Sequence, residues 1–206
     1  MSWSEINLKK LFLQDTPLID VRAPIEFKDG HFPCSINLPL MNDEERHLIG
    51  IEYKKLGQLK AIELGHKLVS GETKENRISD WVNFLKINPN AQLYCFRGGM
   101  RSQIATEWIA DRGIKLEKIT GGYKALRQFL LNTLEEKSKV VKLVVISGRT
   151  GTGKTPFLYQ TNLPMIDLEK LANHRGSSFG GMGPQPTPIN FENKGPNVCR
   201  IIGKVM

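Results

Sequence analysis

Cysteine is scarce in this chain, with three residues in 206, at positions 34, 95 and 199. That number and spacing exclude a disulfide framework and a zinc-finger pattern. A reducing, cytoplasmic setting is expected for such a chain. No run of about 18 apolar residues occurs, so no membrane-spanning helix is expected. The opening Met1-Ser2-Trp3-Ser4-Glu5 lacks the basic region and apolar stretch of a secretion signal. His66, beside Lys67, has no metal-type partner at useful spacing, and no metal site is expected. Acidic residues are outnumbered, 21 against 29 Lys and Arg, for a formal net charge of +8. Such an excess suits a polyanionic partner such as RNA, and a merely basic surface equally well. The 40% hydrophobic and 24% charged content is that of a soluble globular protein. The length allows one large domain or two small ones.

What is present centres on Leu93-Tyr94-Cys95-Phe96-Arg97-Gly98-Gly99-Met100-Arg101-Ser102. This reads as a short strand ending in a cysteine, a tight loop, and a helix beginning near Arg101. Gly98 and Gly99 can adopt backbone angles that other residues avoid and carry no side chain to block approach. Loop N–H groups turned toward the sulfur, the helix start, Arg97 and Arg101 together favour the thiolate, the reactive form of cysteine. Cys95 is also open to a plainer reading, because free cysteine is among the most buried residue types. Cys34, in a loop after Pro33, reads as structural or incidental in preference to a second working thiol.

Along the chain, Trp3 to Leu13 reads as a helix with Ser4 as its cap. The apolar run Pro17-Leu18-Ile19 before Asp20 reads as a buried strand. Pro24 starts a short helix, and residues 30–39 read as loop, brief strand and loop. Asn42 caps a helix through Lys55, helped by Asp43, Glu44 and Glu45 in its first turn. Leu59 to Val69 continues helically. Ile78, Trp81, Val82 and Leu85 share one helical face and read as core. Ile104, Ala105, Trp108 and Ile109 form a second apolar stripe, ended by Asp111-Arg112-Gly113. A strand from Ile114 to Ile119 and a helix from Tyr123 to Glu136 are expected next. The polar stretch from Glu135 to Lys139 suggests a domain boundary, dividing the chain into 1–137 and 138–206.

Val140 to Ser147 is β-branched and apolar and reads as a strand. Gly148-Arg149-Thr150-Gly151-Thr152-Gly153-Lys154-Thr155 follows it at once. This is the Gly-x-x-x-x-Gly-Lys-Thr phosphate loop in its required place after a strand. Gly148, Gly151 and Gly153 let backbone N–H groups close around phosphate oxygens. Lys154 supplies charge to the phosphates, and Thr155 is placed to ligate magnesium. Pro156 is tolerated in the first helical turn. Met165-Ile166-Asp167 reads as a second strand, and Leu168 to His174 as a helix. Two strands and two helices make a small parallel sheet with uncovered edges, so this second P-loop α/β domain is expected to be incomplete.

The cysteine loop resembles that of rhodanese-type sulfurtransferases. Asp20-Val21-Arg22, then Gly30-His31-Phe32-Pro33 with Asn37, then the cysteine loop, then Gly121-Gly122-Tyr123 follow that family's order. A rhodanese-like parallel sheet flanked by helices is therefore expected for residues 1–137. Joined to a phosphate loop, the chain resembles the bacterial tRNA 2-selenouridine synthase family. Further likeness lies in Asn37 to Asn42, Gly65 to Val69, Gly121 to Arg127 and Leu171 to Gly180. Residues 194–206 match nothing in that pattern, which suggests a truncated or frame-shifted end. The resemblance implies that selenium from selenophosphate replaces the sulfur of wobble 2-thiouridine in tRNA, through a geranylated intermediate. Cys95, with Arg97 and Arg101, would carry the selenium. The phosphate loop would hold a pyrophosphate-bearing ligand such as geranyl diphosphate, with magnesium. tRNA and a selenophosphate-producing enzyme are the implied partners. A persulfide carrier without tRNA activity and a P-loop nucleotide-binding protein remain alternatives. The short chain is expected to load Cys95 and to turn over little tRNA.

Overall fold

The computed structural model describes residues 5–149, 151–161, 163 and 165–167. The first unit is built on three short parallel strands. These are β1 (Leu18–Asp20), β2 (Ser35–Asn37) and β3 (Gln92–Tyr94), ordered β2-β1-β3. Leu18, Ile19 and Asp20 pair with Ser35, Ile36 and Asn37 on one side and with Gln92, Leu93 and Tyr94 on the other. Central β1 is buried throughout, as a parallel strand covered on both faces must be.

Parallel neighbours need crossover connections. Between β1 and β2 the crossover contains α2 (Pro24–Asp29), with Pro24 in the first turn, where a missing N–H costs nothing. Between β2 and β3 lie α3 (Asp43–Leu68) and α4 (Gly71–Ile87). The start of α3 is fixed reciprocally: Glu45 N–H donates to Asn42 Oδ1 at 2.8 Å, and Asn42 N–H donates to Glu45 Oε2 at 2.8 Å. At Gly57 the backbone leaves the helical region (φ 83°), so α3 is two helical pieces around a break, in line with the two stretches expected from sequence. After β3 come α5 (Met100–Ala110) and α6 (Gly122–Ser138), while α1 (Glu5–Leu13) precedes the sheet. Trp3 and Ser4, the expected helix start and cap, lie outside the described residues.

The core lies between the sheet, α4 and α5. Ile19, Val21, Leu93, Trp81, Leu85, Ala105 and Ile109 are buried together, with Val82 and Ile104 packed against them. Trp81 Nε1–H donates to Leu38 O at 2.9 Å, which satisfies its polar edge, and its ring lies 6.3 Å from that of Trp108.

Three expected strands do not form. Of Ile114–Ile119 only Lys118 bridges Leu93, with Ile119 N–H donating to Leu93 O at 2.8 Å. β3 ends at Tyr94 and turns into the cysteine loop, so no ladder is left to extend. Val140 to Ser147 is not a strand. Val140, Leu143, Val144 and Val145 are 72%, 69%, 91% and 84% exposed. Met165-Ile166-Asp167 is likewise without strand structure. A β-branched run becomes a strand only where a neighbouring strand takes its N–H and C=O groups, whereas the N–H groups of Val140 and Val141 donate to Lys137 O at 3.1 and 2.9 Å, as at the end of a helix. The helix expected over Leu168 to His174 lies outside the described residues.

The chain divides into two compact units, Met1–Phe129 and Leu130–Met206. That division falls within α6 (Gly122–Ser138), about two helical turns before the boundary suggested by composition. In the second unit, the phosphate-loop sequence runs into α7 (Lys154–Gln160). Among the described residues, no helix is long and apolar enough to cross a membrane.

Candidate functional site

Cys95 stands at the C-terminal end of β3, the usual position for chemistry in an open parallel sheet. It is 3% exposed. Its Sγ donates to Ser102 Oγ at 3.3 Å, and Ser102 Oγ donates to Gly99 O at 2.9 Å. Ser102, fully buried in the first turn of α5, thus ties the sulfur to its own loop. The sequence holds the signal, since a hydroxyl directly after Arg101 falls in the first turn of the helix that follows the loop.

The loop is clasped to the start of α6 by backbone hydrogen bonds, with the Phe96 ring stacked on that of Tyr123 at 6.2 Å. Tyr123 N–H donates to Cys95 O at 2.8 Å, and Lys124 N–H donates to Phe96 O at 3.1 Å. Gly98 (φ +66°) and Gly122 (φ +55°) make the approach feasible. A Cβ on Gly122 would lie 2.1 Å from Cys95 O, and one on Gly98 would lie 2.6 Å from Gly121 N. This is the physical reason for the Gly121-Gly122-Tyr123 element so far along the chain.

The remaining elements meet on the same spot. Arg22, 2% exposed, bonds the fully buried Asp20 through Nε and Nη2, the latter at 2.6 Å, and donates from Nη2 to Gly30 O at 2.8 Å. Its guanidinium lies 4.0 Å from the centre of the Tyr123 ring and 5.8 Å from that of Tyr94, the residue before Cys95. Burial works against the Arg22 charge, but the Asp20 hydrogen bonds and charge prevail and hold it more firmly protonated than an ordinary arginine. Asn37 Nδ2 donates to the carbonyls of Asp20 and Arg22 at 3.0 and 2.9 Å. Asp20, Arg22, Gly30, Asn37 and Tyr123 therefore form one polar frame beneath the cysteine strand.

The arginines of the loop are placed otherwise than their spacing suggests. Arg101 is engaged by Glu26, with Nη1 to Oε2 at 2.6 Å and Nη2 to Oε1 at 3.2 Å, and Arg46 Nε reaches the same carboxylate at 3.2 Å. Burial alone would raise the Glu26 carboxyl. The Arg101 hydrogen bonds and charge, the Ala23 N–H and the Arg46 charge outweigh it and hold the group below the usual carboxylate range. Arg97 is exposed, with its guanidinium 5.9 Å from the Phe96 ring centre. Cys34 lies apart from Cys95's loop. Burial, reinforced by the charge of Asp15, pushes its thiol up to about 11, against the pull of a backbone hydrogen bond. At neutral pH it is a poor nucleophile.

In the second unit the phosphate-loop residues form a turn into α7. Gly151 (φ +84°) and Gly153 (φ +78°) take the left-handed backbone that such a turn requires. Lys154 Nζ is folded back on the loop, donating to Gly148 O at 2.7 Å and Arg149 O at 2.8 Å. Thr155 starts the helix beside it; Thr150 is outside the described residues. A ligand that took up the Lys154 charge would have to draw it off those carbonyls. Among the described residues, no His, Cys, Asp and Glu cluster could hold a metal ion.

Residues 141–195 match the family model described as the tRNA 2-selenouridine synthase AAA domain. The chain is 55% identical over 188 residues to the tRNA 2-selenouridine synthase of Sulfurovum sp. NBC37-1, covering 91% of this chain and 51% of that protein. Against the synthases of Nitrosomonas europaea and Shewanella denitrificans it is 53% and 57% identical, covering 91% and 89% of this chain and 49% and 50% of theirs. A solved N-terminal domain from Clostridium difficile 630 is 33% identical over 55% of this chain and 88% of that one, at a TM-score of 0.49. The chain spans about half the length of the curated relatives it matches.

Proposed function

We propose, for a chain that matches the tRNA 2-selenouridine synthase family along about nine tenths of its length, that it serves the exchange of sulfur for selenium in tRNA 2-thiouridine. The first unit is its rhodanese-like part, and Cys95 is the residue that takes up the chalcogen. One observation carries this reading. Asp20, Arg22, Gly30, Asn37 and Tyr123, scattered over a hundred residues, are bonded or stacked into a single frame under the Cys95 strand. A fold that needed Cys95 only as core packing has no use for that investment of buried polar groups.

Loading is a substitution at the chalcogen. From a sulfane-sulfur donor, the electron pair of the Cys95 thiolate forms a bond to the outer sulfur, and that sulfur's bond to the rest of its donor breaks, its pair leaving with the donor residue. The Ser102 hydroxyl, which accepts from the thiol, can turn to donate to the sulfur once the proton has left. Selenophosphate is the proposed selenium source, delivered by the enzyme that makes it; its selenium is already at the selenide level and passes to C2 without an oxidant, its bond to phosphorus breaking as water takes the phosphoryl group as phosphate. In the exchange, C2 of the base gains a bond to selenium and loses its bond to sulfur. A geranyl group on that sulfur lets it depart as a thiol. The phosphate loop would hold the pyrophosphate of geranyl diphosphate through its N–H groups and Lys154, with Thr155 toward magnesium. The net charge of +8 suits a tRNA partner.

Nucleoside mass spectrometry tests the reading. tRNA bearing 2-thiouridine is incubated with selenophosphate and the protein, or its Cys95→Ser variant. Selenouridine that depends on Cys95 is the expected product. An equal yield from the variant contradicts the role given to Cys95.

A further inference from the structure

Phe96 follows Cys95 directly, and its large apolar side chain is left 37% exposed at the start of the loop. A single exposed apolar residue is ordinary on a protein surface. This one differs in how firmly it is held. Its ring lies 6.2 Å from that of Tyr123, with 19° between the planes. Tyr123 is buried, with the Arg22 guanidinium 4.0 Å from its ring centre and the Phe32 ring at 5.2 Å. The Phe96 carbonyl accepts from Lys124 N–H at 3.1 Å, which fixes the backbone to the same support. Arg97, also exposed, brings its guanidinium to 5.9 Å from the Phe96 ring centre.

The thiol side chain is itself 3% exposed, so a substrate atom that reaches it must rest on the residues around it. Consecutive Cα atoms stand about 3.8 Å apart, so a flat ring lying on Phe96 is held beside the cysteine. An aliphatic ligand would need more apolar area than one ring offers, and would leave the Arg97 charge unused. A nucleobase is flat, has a π face and carries a phosphate beside it, which suits both side chains. Bases of single-stranded RNA loops are commonly splayed out and stacked on aromatic side chains in this way.

We propose that Phe96 positions the substrate base: the 2-thiouracil ring, turned out of its RNA loop, stacks on Phe96, with Arg97 against the adjoining phosphate. This inference rests on the proposed function and adds to it how the base is presented to Cys95. A ring already held by Tyr123 loses little freedom when the base arrives, so stacking is not offset by ordering. Phe96 takes no part in loading Cys95, and loading and base binding are therefore separable.

Photocrosslinking tests the proposal. An anticodon stem-loop RNA with 5-iodouridine in place of the substrate nucleotide is irradiated with the full chain. The excited base couples to an aromatic ring stacked on it, and tryptic mass mapping locates the bond. A crosslink at Phe96 is expected, kept in Phe96→Tyr and in Cys95→Ser and lost in Phe96→Leu, which retains an apolar side chain without the π face. In fluorescence anisotropy, the same stem-loop with 2-thiouridine should bind Phe96→Leu about tenfold more weakly than the wild type or Phe96→Tyr, the worth of one stacked base. Arg97→Gln should weaken binding and reduce its salt dependence by about one phosphate contact. Phe96→Leu should stay folded and load Cys95 from thiosulfate as the wild type does. A crosslink that is absent, or found only at other residues, overturns the proposal, as does equal affinity for Phe96→Leu. Lost loading in Phe96→Leu also overturns it, because the ring would then serve the loop and not the base. Unchanged salt dependence in Arg97→Gln removes the phosphate contact. If these arms fail while Cys95-dependent selenouridine still forms, the proposed function stands without Phe96. If selenouridine forms independently of Cys95 while the crosslink remains, Phe96 keeps its role and Cys95 loses its own.

Discussion

At Gly122 the absence of one carbon lets two distant segments join. An added Cβ would stand 2.1 Å from the Cys95 carbonyl and 2.6 Å from Gly98 N, on a backbone with φ of +55°. Nothing in that contact is a flexible side-chain end, so the loop or the start of α6 must move. Gly122→Ala is expected to cost about 3 kcal/mol or more, the range of strained backbone combined with a core clash, as read from urea denaturation. An unchanged midpoint would show that the clasp yields easily. Glu26 makes a second prediction, about pH. Its carboxyl is held below its ordinary value of 4.5 despite burial, chiefly by Arg101. A group whose folded value is depressed stabilises the fold above its unfolded value, and that stability is lost as pH falls through the folded one. Wild-type stability should therefore decline as pH drops from about 4.5, and Glu26→Gln should flatten that part of the curve. Identical curves for the two proteins would mean the Arg101 contact contributes nothing.

Among the elements, helices were more legible than strands. The caps, stripes and stops of α3, α4 and α5 are local, and the chain displays them in order: Asn42 with Glu45, then Ile78, Trp81 and Leu85, then Gly113. Strand formation depends on a partner elsewhere, which a β-branched run cannot announce. Val140 to Ser147 has the composition of a strand and lies exposed, while Leu18–Asp20 forms one because β2 and β3 flank it. The phosphate loop consequently stands on its own turn geometry and on Lys154 bonded to Gly148 and Arg149. Lys154→Ala should weaken binding of inorganic pyrophosphate by about tenfold or more, the worth of a charge-assisted contact. Loading of Cys95 should be unaffected, since the thiol is held by Ser102 and the α6 clasp. Parallel loss of both activities in a folded variant would contradict this division of labour.

For the whole molecule, the order of the motifs was readable and their assembly was not. Asp20-Val21-Arg22, Gly30, Asn37, the cysteine loop and Gly121-Gly122-Tyr123 could be placed in sequence. That Arg22 would be buried as the joint between Asp20, Gly30 and Tyr123 is a tertiary fact with no local signature. Nor did spacing reveal that Arg101 would turn to Glu26 and leave Ser102 at the sulfur, because Glu26 lies 75 residues away. The central claim is that Cys95 is the atom-carrying residue of this fold. It is tested most directly by intact-mass spectrometry of the chain after exposure to a sulfane-sulfur donor such as thiosulfate. Cys34, with its thiol pushed up to about 11, serves as the internal control. A single added chalcogen on the wild type and on Cys34→Ala, and none on Cys95→Ser, is the expected result. An adduct that survives Cys95→Ser and disappears in Cys34→Ala would contradict it.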